Sequence, residues 1–168
     1  VIVTSIESFA IKTVSMLLSS RKYTHIFGFV FILLFPVQSM SQSWTWDSLA
    51  SGTANDLNGI DFVDVTTGWA VGAGGTIIAT ADGGTNWNAQ VSGTGSALNG
   101  VSFIDANTGW AVGQSGTIVA TTDGGTNWNA QVSGTGSHLN GVIFFDANNG
   151  WAVGNGGTII ATTDGGTN

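Results

Sequence analysis

Residues 109–128 read GWAVGQSGTIVATTDGGTNW, and residues 68–87 read GWAVGAGGTIIATADGGTNW. A third copy of the same stretch begins at Gly150. Equivalent Trp, Asp, Leu and Phe positions of this unit recur every 41 residues, and the register extends back to Trp46. A fixed period of this length indicates a repeat architecture.

One repeat unit consists of short β-rich runs separated by Gly, Asn and Asp, without the period of an amphipathic helix. In the second unit we predict four strands, at about 99–104, 109–113, 117–122 and 128–133, joined by turns of hairpin length. Four short antiparallel strands in about 40–45 residues are typical of a β-propeller blade. A β-helix is the main alternative, but its rungs are shorter and lack these hairpins. We therefore predict an all-β, incomplete propeller of about three blades.

The N-terminal region has a different composition. All the basic residues, Lys12, Arg21 and Lys22, lie here, and an apolar run at 26–37 follows them. This order, with small residues at Ser39 and Ser41, is typical of a signal peptide rather than of a membrane anchor. We predict that 1–15 is untranslated or unstructured, that 16–41 is a signal peptide, and that 42–168 is a partial propeller. The protein is then secreted or extracytoplasmic in a bacterium, and without cysteine it has no disulfides.

The third turn of each unit carries the motif T-x-D-x-G-x-x-W. Its Asp carboxylate can accept backbone N–H groups and close the turn, and the glycines allow positive φ. The Trp begins the next strand and folds over the turn. The residues predicted to build these turns are Thr80, Asp82, Gly84, Trp87, Thr121, Asp123, Gly125, Trp128, Thr162, Asp164 and Gly166. Those predicted to pack between blades are Trp46, Trp69, Trp110 and Trp151.

This motif resembles the Asp box, or bacterial neuraminidase repeat. Together with the preceding GWAVG and Gly-Thr residues, it resembles the repeat of the photosystem II stability and assembly factor family. That resemblance implies a secreted or lumenal propeller, usually of seven blades. Asp boxes also occur in sialidases, xyloglucanase-type glycosidases, sortilin-like receptors and non-enzymatic scaffolds, so the resemblance specifies the blade and not the function. It also implies an Arg-rich recognition surface, which is missing after Lys22, and photosystem assembly is therefore not predicted.

The residue types argue against catalysis. A sialidase site needs Arg, Tyr and Glu, and 42–168 contains none of them. Each Asp of the two repeated turns recurs at the same position of every unit, which favours turn building over a single catalytic acid. We predict a non-catalytic binding or assembly scaffold. The alternative is the N-terminal part of a secreted glycoside hydrolase whose catalytic residues lie elsewhere.

Ligands are predicted mainly by exclusion. The spacing of the Asp residues does not fit a calcium loop, and no cofactor or metal site is predicted. Nucleic acid is excluded because no cation follows Lys22. The partner is an unknown protein or glycan, and the tryptophans are assigned to packing rather than to a sugar platform. No membrane contact is predicted after signal cleavage.

Two positions break the repeat and are candidates for a role specific to one blade. One is occupied by Asp56, Ala97 and His138, and the other by Asp61, Ser102 and Ile143. At the ends of the array, we predict that Trp46–Gly52 is an outer strand suited to complete a last blade. We also expect that the reading frame continues with Trp at 169, and that the open arc self-associates.

Overall fold

The computed structural model describes residues 45–167 of the chain. The predicted signal peptide and residues 1–15 lie outside the described residues and stay predictions. Within the described part no helix is long and apolar enough to span a membrane. The strands are β1 (Leu57–Phe62), β2 (Gly68–Gly72), β3 (Ile77–Thr80), β4 (Asn88–Gln90), β5 (Leu98–Phe103), β6 (Gly109–Gly113), β7 (Ile118–Thr121), β8 (Asn129–Gln131), β9 (Leu139–Phe144), β10 (Gly150–Gly154) and β11 (Ile159–Thr162).

The strands form three antiparallel sheets in which neighbours in sequence are neighbours in space. The first blade has the order β1-β2-β3-β4, the second blade β5-β6-β7-β8, and the third blade, within residues 45–167, β9-β10-β11. Equivalent strands pair in the same register; Trp69 lies opposite Ala79, and Trp110 opposite Ala120. The prediction of an all-β array of about three blades is confirmed.

The predicted strand bounds differ from the structure mainly at the outermost strand. It was expected at 128–133 and spans Asn129–Gln131, because the Ser133 hydroxyl donates to the carbonyl of Thr135 at 3.0 Å and starts a turn. The predicted strand at Trp46–Gly52 was wrong. A strand needs a hydrogen-bonded neighbour, and within the described residues 45–56 pair with no strand.

The innermost strands β1, β5 and β9 lie side by side and pack through glycine. A Cβ on Gly59 would come within 3.2 Å of the Gly100 Cα, and one on Gly100 within 3.1 Å of the Gly141 Cα. Asparagine amides bridge the same strands, since Asn58 donates to the carbonyl of Leu98 at 2.9 Å. The small side chains therefore let neighbouring blades approach closely at their inner edge.

The core lies between blades. In β2 and β6 all five residues of the GWAVG run are buried, and the Trp and Val of β2 pack with Leu98, Val101 and Phe103 of the next blade. The third blade buries less of the same run, with Val153 48% exposed where Val112 is fully buried. Each blade thus depends on its neighbours to bury its apolar residues.

Candidate functional site

The loops of the array lie at two ends. At the Asp-box end, defined by the turns at 63–67 and 81–87 and their repeats, the two kinds of turn bond to each other. Gly83 N–H donates to the carbonyl of Thr66 at 2.9 Å, and the same bond recurs in the other two blades. The opposite end carries the turns at 73–76 and 92–97 and their repeats. The Asp-box end holds most of the acidic residues: Asp64, Asp82, Asp105, Asp123, Asp146 and Asp164.

The Asp box of the first blade is a closed hydrogen-bond network. The Asp82 carboxylate accepts from the Thr80 hydroxyl at 2.9 Å and from the Asn86 backbone N–H at 2.9 Å. The Asn86 side-chain amide donates to its second oxygen at 2.7 Å. The buried Gly84 N–H donates to the Thr80 hydroxyl at 2.9 Å. Gly84 has φ of 88°, so the turn needs a residue without Cβ there.

The second Asp box repeats this network, and the described part of the third repeats its threonine bonds. Asp123 accepts from the Thr121 hydroxyl and from both N–H groups of Asn127, at 2.7–2.9 Å. Asp164 accepts from the Thr162 hydroxyl at 2.8 Å and from the Gly166 N–H at 3.1 Å. The sequence argument missed the asparagine amide that closes the network. Its signal was present, because Asn86 and Asn127 keep the 41-residue spacing.

The carboxylates of the 63–67 turns are engaged in the same way. Asp64 accepts from the Thr66 hydroxyl, the Thr66 N–H and the Thr67 N–H at 2.7–2.8 Å. The Thr66 hydroxyl, followed by the two N–H groups, lowers the pKa of Asp64 to about 2. Hydrogen-bond donors also lower the pKa of Asp82, where the Asn86 amide is the largest cause, and of Asp105, Asp123 and Asp146.

These shifts decide what the acidic end can do chemically. A general acid for glycoside hydrolysis needs a carboxyl group with a raised pKa next to an ionised one. The pKa of each of these five carboxyl groups is lowered, so the groups remain ionised at neutral pH. Residues 45–167 also hold no group of three or more His, Cys, Asp or Glu that could bind a metal ion. The Asp-box end is therefore a fixed acidic surface built from turns.

The tryptophans of the GWAVG run tie each blade to the next. Trp69 stacks on Phe103 with ring centroids 3.5 Å apart, and its indole N–H donates to the carbonyl of Gly124 in the next Asp box at 3.2 Å. Trp110 stacks in the same way on Phe144. These two tryptophans are buried, whereas Trp151 is 42% exposed.

The tryptophans of the Asp boxes pack on a phenylalanine of their own blade, and Trp128 also bonds to the preceding blade. The ring of Trp128 lies edge-on to Phe103 at 5.8 Å, and its N–H donates to the Gln90 side-chain oxygen at 3.1 Å. Trp87 lies edge-on to Phe62 at 6.0 Å. Trp46, the equivalent residue ahead of the first blade, is fully exposed and packs against no blade in the described part of the chain.

One repeat-breaking position turns out to join blades. A carboxylate oxygen of Asp61 accepts the Phe103 N–H at 2.7 Å, and the Ser102 hydroxyl accepts the Phe144 N–H at 3.1 Å. Ile143 has no such acceptor and is 49% exposed. This position is therefore a link between inner strands in the first two blades.

The other repeat-breaking position lies at the opposite end. The His138 Nδ1 accepts the Ser115 N–H at 2.9 Å across the boundary between the second and third blades. Ser115 has φ of 55°, where the other two blades have glycine. Asp56 and Ala97 contribute only a backbone carbonyl to the equivalent turns. Ser115 and His138, which both differ from the equivalent residues of the other two repeats, are thus in contact with each other.

A crevice of about 270 Å³ lies between the second and third blades. Its lining includes Gln131, Phe144 and Gly166. These are the repeat equivalents of Gln90, Phe103 and Gly125, of which Gln90 and Phe103 contact the Trp128 indole. The crevice thus corresponds to the place that the Trp128 indole occupies one repeat earlier. Its lining carries no cluster of polar groups that would mark a catalytic pocket.

Comparisons with known proteins agree with this geometry. Residues 38–99 and 90–168 match the family model described as Photosynthesis system II assembly factor YCF48. No curated protein matches the chain. A solved structure of YCF48 bound to D1 peptide is 29% identical, with a TM-score of 0.61 over 69% of this chain. A structure of YCF48 from Cyanidioschyzon merolae is 27% identical, with a TM-score of 0.65 over 73% of this chain.

The chain covers 40% and 41% of the length of these two solved relatives. The family match spans all of the described residues, including both complete Asp boxes. The predicted β-propeller fold is therefore confirmed, and so is the resemblance that the repeat residues carried. This chain belongs to the family of the Photosynthesis system II assembly factor YCF48.

Proposed function

We propose that this chain is part of a secreted, non-catalytic propeller that binds a protein partner during assembly of a larger complex. The observation that carries the proposal is the relative that is solved with a bound D1 peptide. Family membership adds an assembly role, which the missing Arg-rich surface had argued against. A propeller with a rigid array of turns at each end is suited to hold an extended polypeptide.

The non-catalytic part of the proposal rests on the carboxylates. The carboxyl groups of Asp64, Asp82 and Asp123 each accept three or more hydrogen bonds from their own turn. A side chain engaged in this way holds a loop, and the donors that stabilise its ionised form make it a poor proton donor. Glycosidase activity of the purified chain that Asp123→Asn abolishes, with the melting temperature unchanged, would overturn this part.

The charge of the surface indicates which polypeptide would bind. Residues 45–167 contain nine Asp and neither Lys nor Arg, so the field around this part of the chain attracts cations. Six of these Asp lie at the Asp-box end, where the partner is proposed to dock. The proposed partner is therefore a segment with Lys or Arg side chains, and its association rate should fall as salt is added. A glycan lacks this charge and is the less favoured partner.

Binding can be measured by fluorescence anisotropy with two peptides of equal length, one carrying Lys residues and one with Gln in their place, beside the D1 peptide. The matched variants are Thr122→Lys at the Asp-box end and Gln114→Lys at the opposite end. Both side chains are exposed and neither variant alters a turn carboxylate. We expect Thr122→Lys to weaken binding of the Lys peptide and Gln114→Lys to leave it nearly unchanged. Equal binding of the Lys and Gln peptides would contradict the proposal.

A further inference from the structure

Asparagine followed by glycine is a chemically reactive pair. Asparagine is among the thermolabile residues of proteins, and a following glycine has no Cβ to keep its nitrogen away from the asparagine side-chain carbonyl carbon. The attack requires a backbone that can rotate and a side chain that can turn, so local structure decides which pairs react. Residues 45–167 contain three Asp-Gly pairs, at Asp82, Asp123 and Asp164, and five Asn-Gly pairs, at Asn58, Asn99, Asn140, Asn149 and Asn155.

Three of the Asn-Gly pairs lie in the innermost strands. The side-chain amides of Asn58 and Asn99 donate to carbonyls of the next blade at 2.9 and 2.8 Å. Gly141, which follows Asn140, lies opposite Val153 in the ladder between β9 and β10. Backbone in a paired strand rotates only when the pairing opens. The fold therefore protects these three pairs.

The pairs at the Asp-box end are held by their own turns. The Asn149 amide donates to the two oxygens of the Asp146 carboxylate at 3.0 and 2.9 Å, and Gly150 begins the paired strand β10. In the Asp-Gly pairs the glycine N–H donates to a carbonyl of the neighbouring turn at 2.9 Å in each of the three blades. Donors also lower the pKa of Asp82 and Asp123, and an ionised carboxylate is a poor target for a nucleophile.

Asn155 and Gly156 lie instead in the hairpin turn between β10 and β11, at the opposite end. Asn155 is exposed, and a Cβ on Gly156 would meet no atom within 4 Å. In the described part of the chain the Gly156 N–H donates to no acceptor. The Asn155 side-chain oxygen accepts from the Asn140 amide at 2.7 Å, a bond that leaves the carbonyl carbon accessible. Gly156 and Gly157 both have positive φ and carry no Cβ that would restrict rotation.

The openness of this turn is a property of the repeat. The equivalent turns of the first and second blades are each followed by a further blade. There a Cβ on Gly74 would likewise meet no atom within 4 Å, and Gln114 is exposed. Those two turns begin with Ala73 and Gln114, so among the three described blades only the third has asparagine before glycine in this turn.

We propose that Asn155 is a site of spontaneous deamidation. The Gly156 nitrogen attacks the side-chain carbonyl carbon of Asn155 and forms a C–N bond. The side-chain nitrogen leaves as ammonia with the proton that the Gly156 nitrogen gives up. Water then opens the resulting succinimide at either of its carbonyls. The products are aspartate and isoaspartate, in which the main chain runs through the side-chain carbon.

Both products change the end opposite the Asp boxes. Each adds a negative charge to the turn, and isoaspartate also lengthens the turn by a backbone carbon. The altered residue is the one whose N–H donates to the His138 carbonyl at 2.8 Å and whose carbonyl accepts the Thr158 hydroxyl at 2.8 Å. The modification does not involve the Asp-box end, where the protein partner is proposed to dock.

Peptide mapping of the whole 168-residue chain tests the proposal. Cleavage after Leu, Phe and Trp places each Asn-Gly pair in a separate fragment, and Asn155 lies in the fragment 152–168. After incubation of the folded chain at mildly alkaline pH, tandem mass spectrometry should find the amide-to-acid mass change at 155 and not in the other four pairs. In urea all five should change, because unfolding removes their protection. Equal conversion of the five pairs in the folded chain, or none at 155, would overturn the proposal.

Two serine variants test the role of the glycine. Gly156→Ser keeps Asn155 and supplies a Cβ beside the attacking nitrogen, and Ser115 shows that this turn accepts serine at the same position. Conversion at 155 should slow severalfold in that variant. Gly74→Ser, the same change in the first blade, is the matched control and should leave the rate at 155 unchanged. Equal rates at 155 in the two variants would refute attack by the Gly156 nitrogen.

Discussion

The stack of Trp110 on Phe144 offers a direct measure of how strongly one blade holds the next. Trp110 is 3% exposed, its ring lies 3.5 Å from that of Phe144, and its N–H donates to the carbonyl of Gly165 at 3.0 Å. Burial of an indole of about 150–250 Å² at about 25 cal/mol/Å² gives about 4–6 kcal/mol as an upper bound. Replacement of a buried aromatic by alanine costs about 3–5 kcal/mol. We expect Trp110→Ala to lower the free energy of unfolding by about 3–5 kcal/mol.

Trp151→Ala is the matched control for this change. Trp151 has the same repeat position but is 42% exposed, and its ring contact in the described residues is an edge contact with Phe145 at 5.7 Å. Its loss should cost about 1–2 kcal/mol, since about half of its surface is already in water. Urea unfolding followed by far-ultraviolet circular dichroism measures both variants. Equal losses for the two variants would refute the view that the stability of a blade resides in its contact with the next.

Three further predictions concern charge, backbone and processing. First, because hydrogen bonds lower the pKa of Asp64 to about 2 and also lower those of the other turn carboxylates, their contribution to stability is complete above the unfolded pKa of about 3.9 and is lost as the pH falls toward 2. Urea midpoints from pH 6 downward should therefore fall below about pH 4, and a midpoint that rises there would contradict the role of these turns. Second, Ser115→Gly should stabilise the fold by up to about 1 kcal/mol, because Ser115 has φ of 55°. The reverse change, Gly74→Ser in the first blade, should destabilise it by a similar amount, and thermal melts that move both variants in one direction would count against strain as the cause. Third, N-terminal sequencing after expression in a Gram-negative host should find Gln42 first, whereas a mature product that retains 26–37 would favour an anchor.

The fold could be predicted from the sequence because the same strand and turn residues recur in each of the three repeats. Strand bounds for the inner three strands were predicted to within about a residue, since Gly, Asn and Asp mark every turn. The outermost strand was predicted too long because its end depends on the Ser133 turn, a side-chain interaction that periodicity does not reveal. The strand expected at Trp46–Gly52 failed for a different reason. A strand is defined by its neighbour, and no property of residues 46–52 supplies one.

Only part of the candidate functional site could be predicted from the sequence. The turn role of Asp82 and Asp123 followed from their motif, but their asparagine partners did not, because an Asn in a Gly-rich turn already has a local explanation. The position of Asp61 and Ser102 stood out as a break in the repeat, which suggested a role specific to one blade. The structure assigns it instead to a bond between inner strands. A carboxylate and a hydroxyl can accept the same N–H, so the repeat tolerates either of them.

The function depends on which polar side chains are available to contact a partner. The repeated Asp, Thr and Asn side chains of the Asp box are engaged in their own turns, so their conservation from blade to blade reflects folding and carries no information about a partner. Under the proposed function, we expect a partner to contact positions that differ between blades. At the Asp-box end such a position is the exposed residue between Thr and Asp of the motif, which is Ala81 in the first blade, Thr122 in the second and Thr163 in the third. The carboxylates supply the attraction common to all blades, and at this exposed position the first blade differs from the other two.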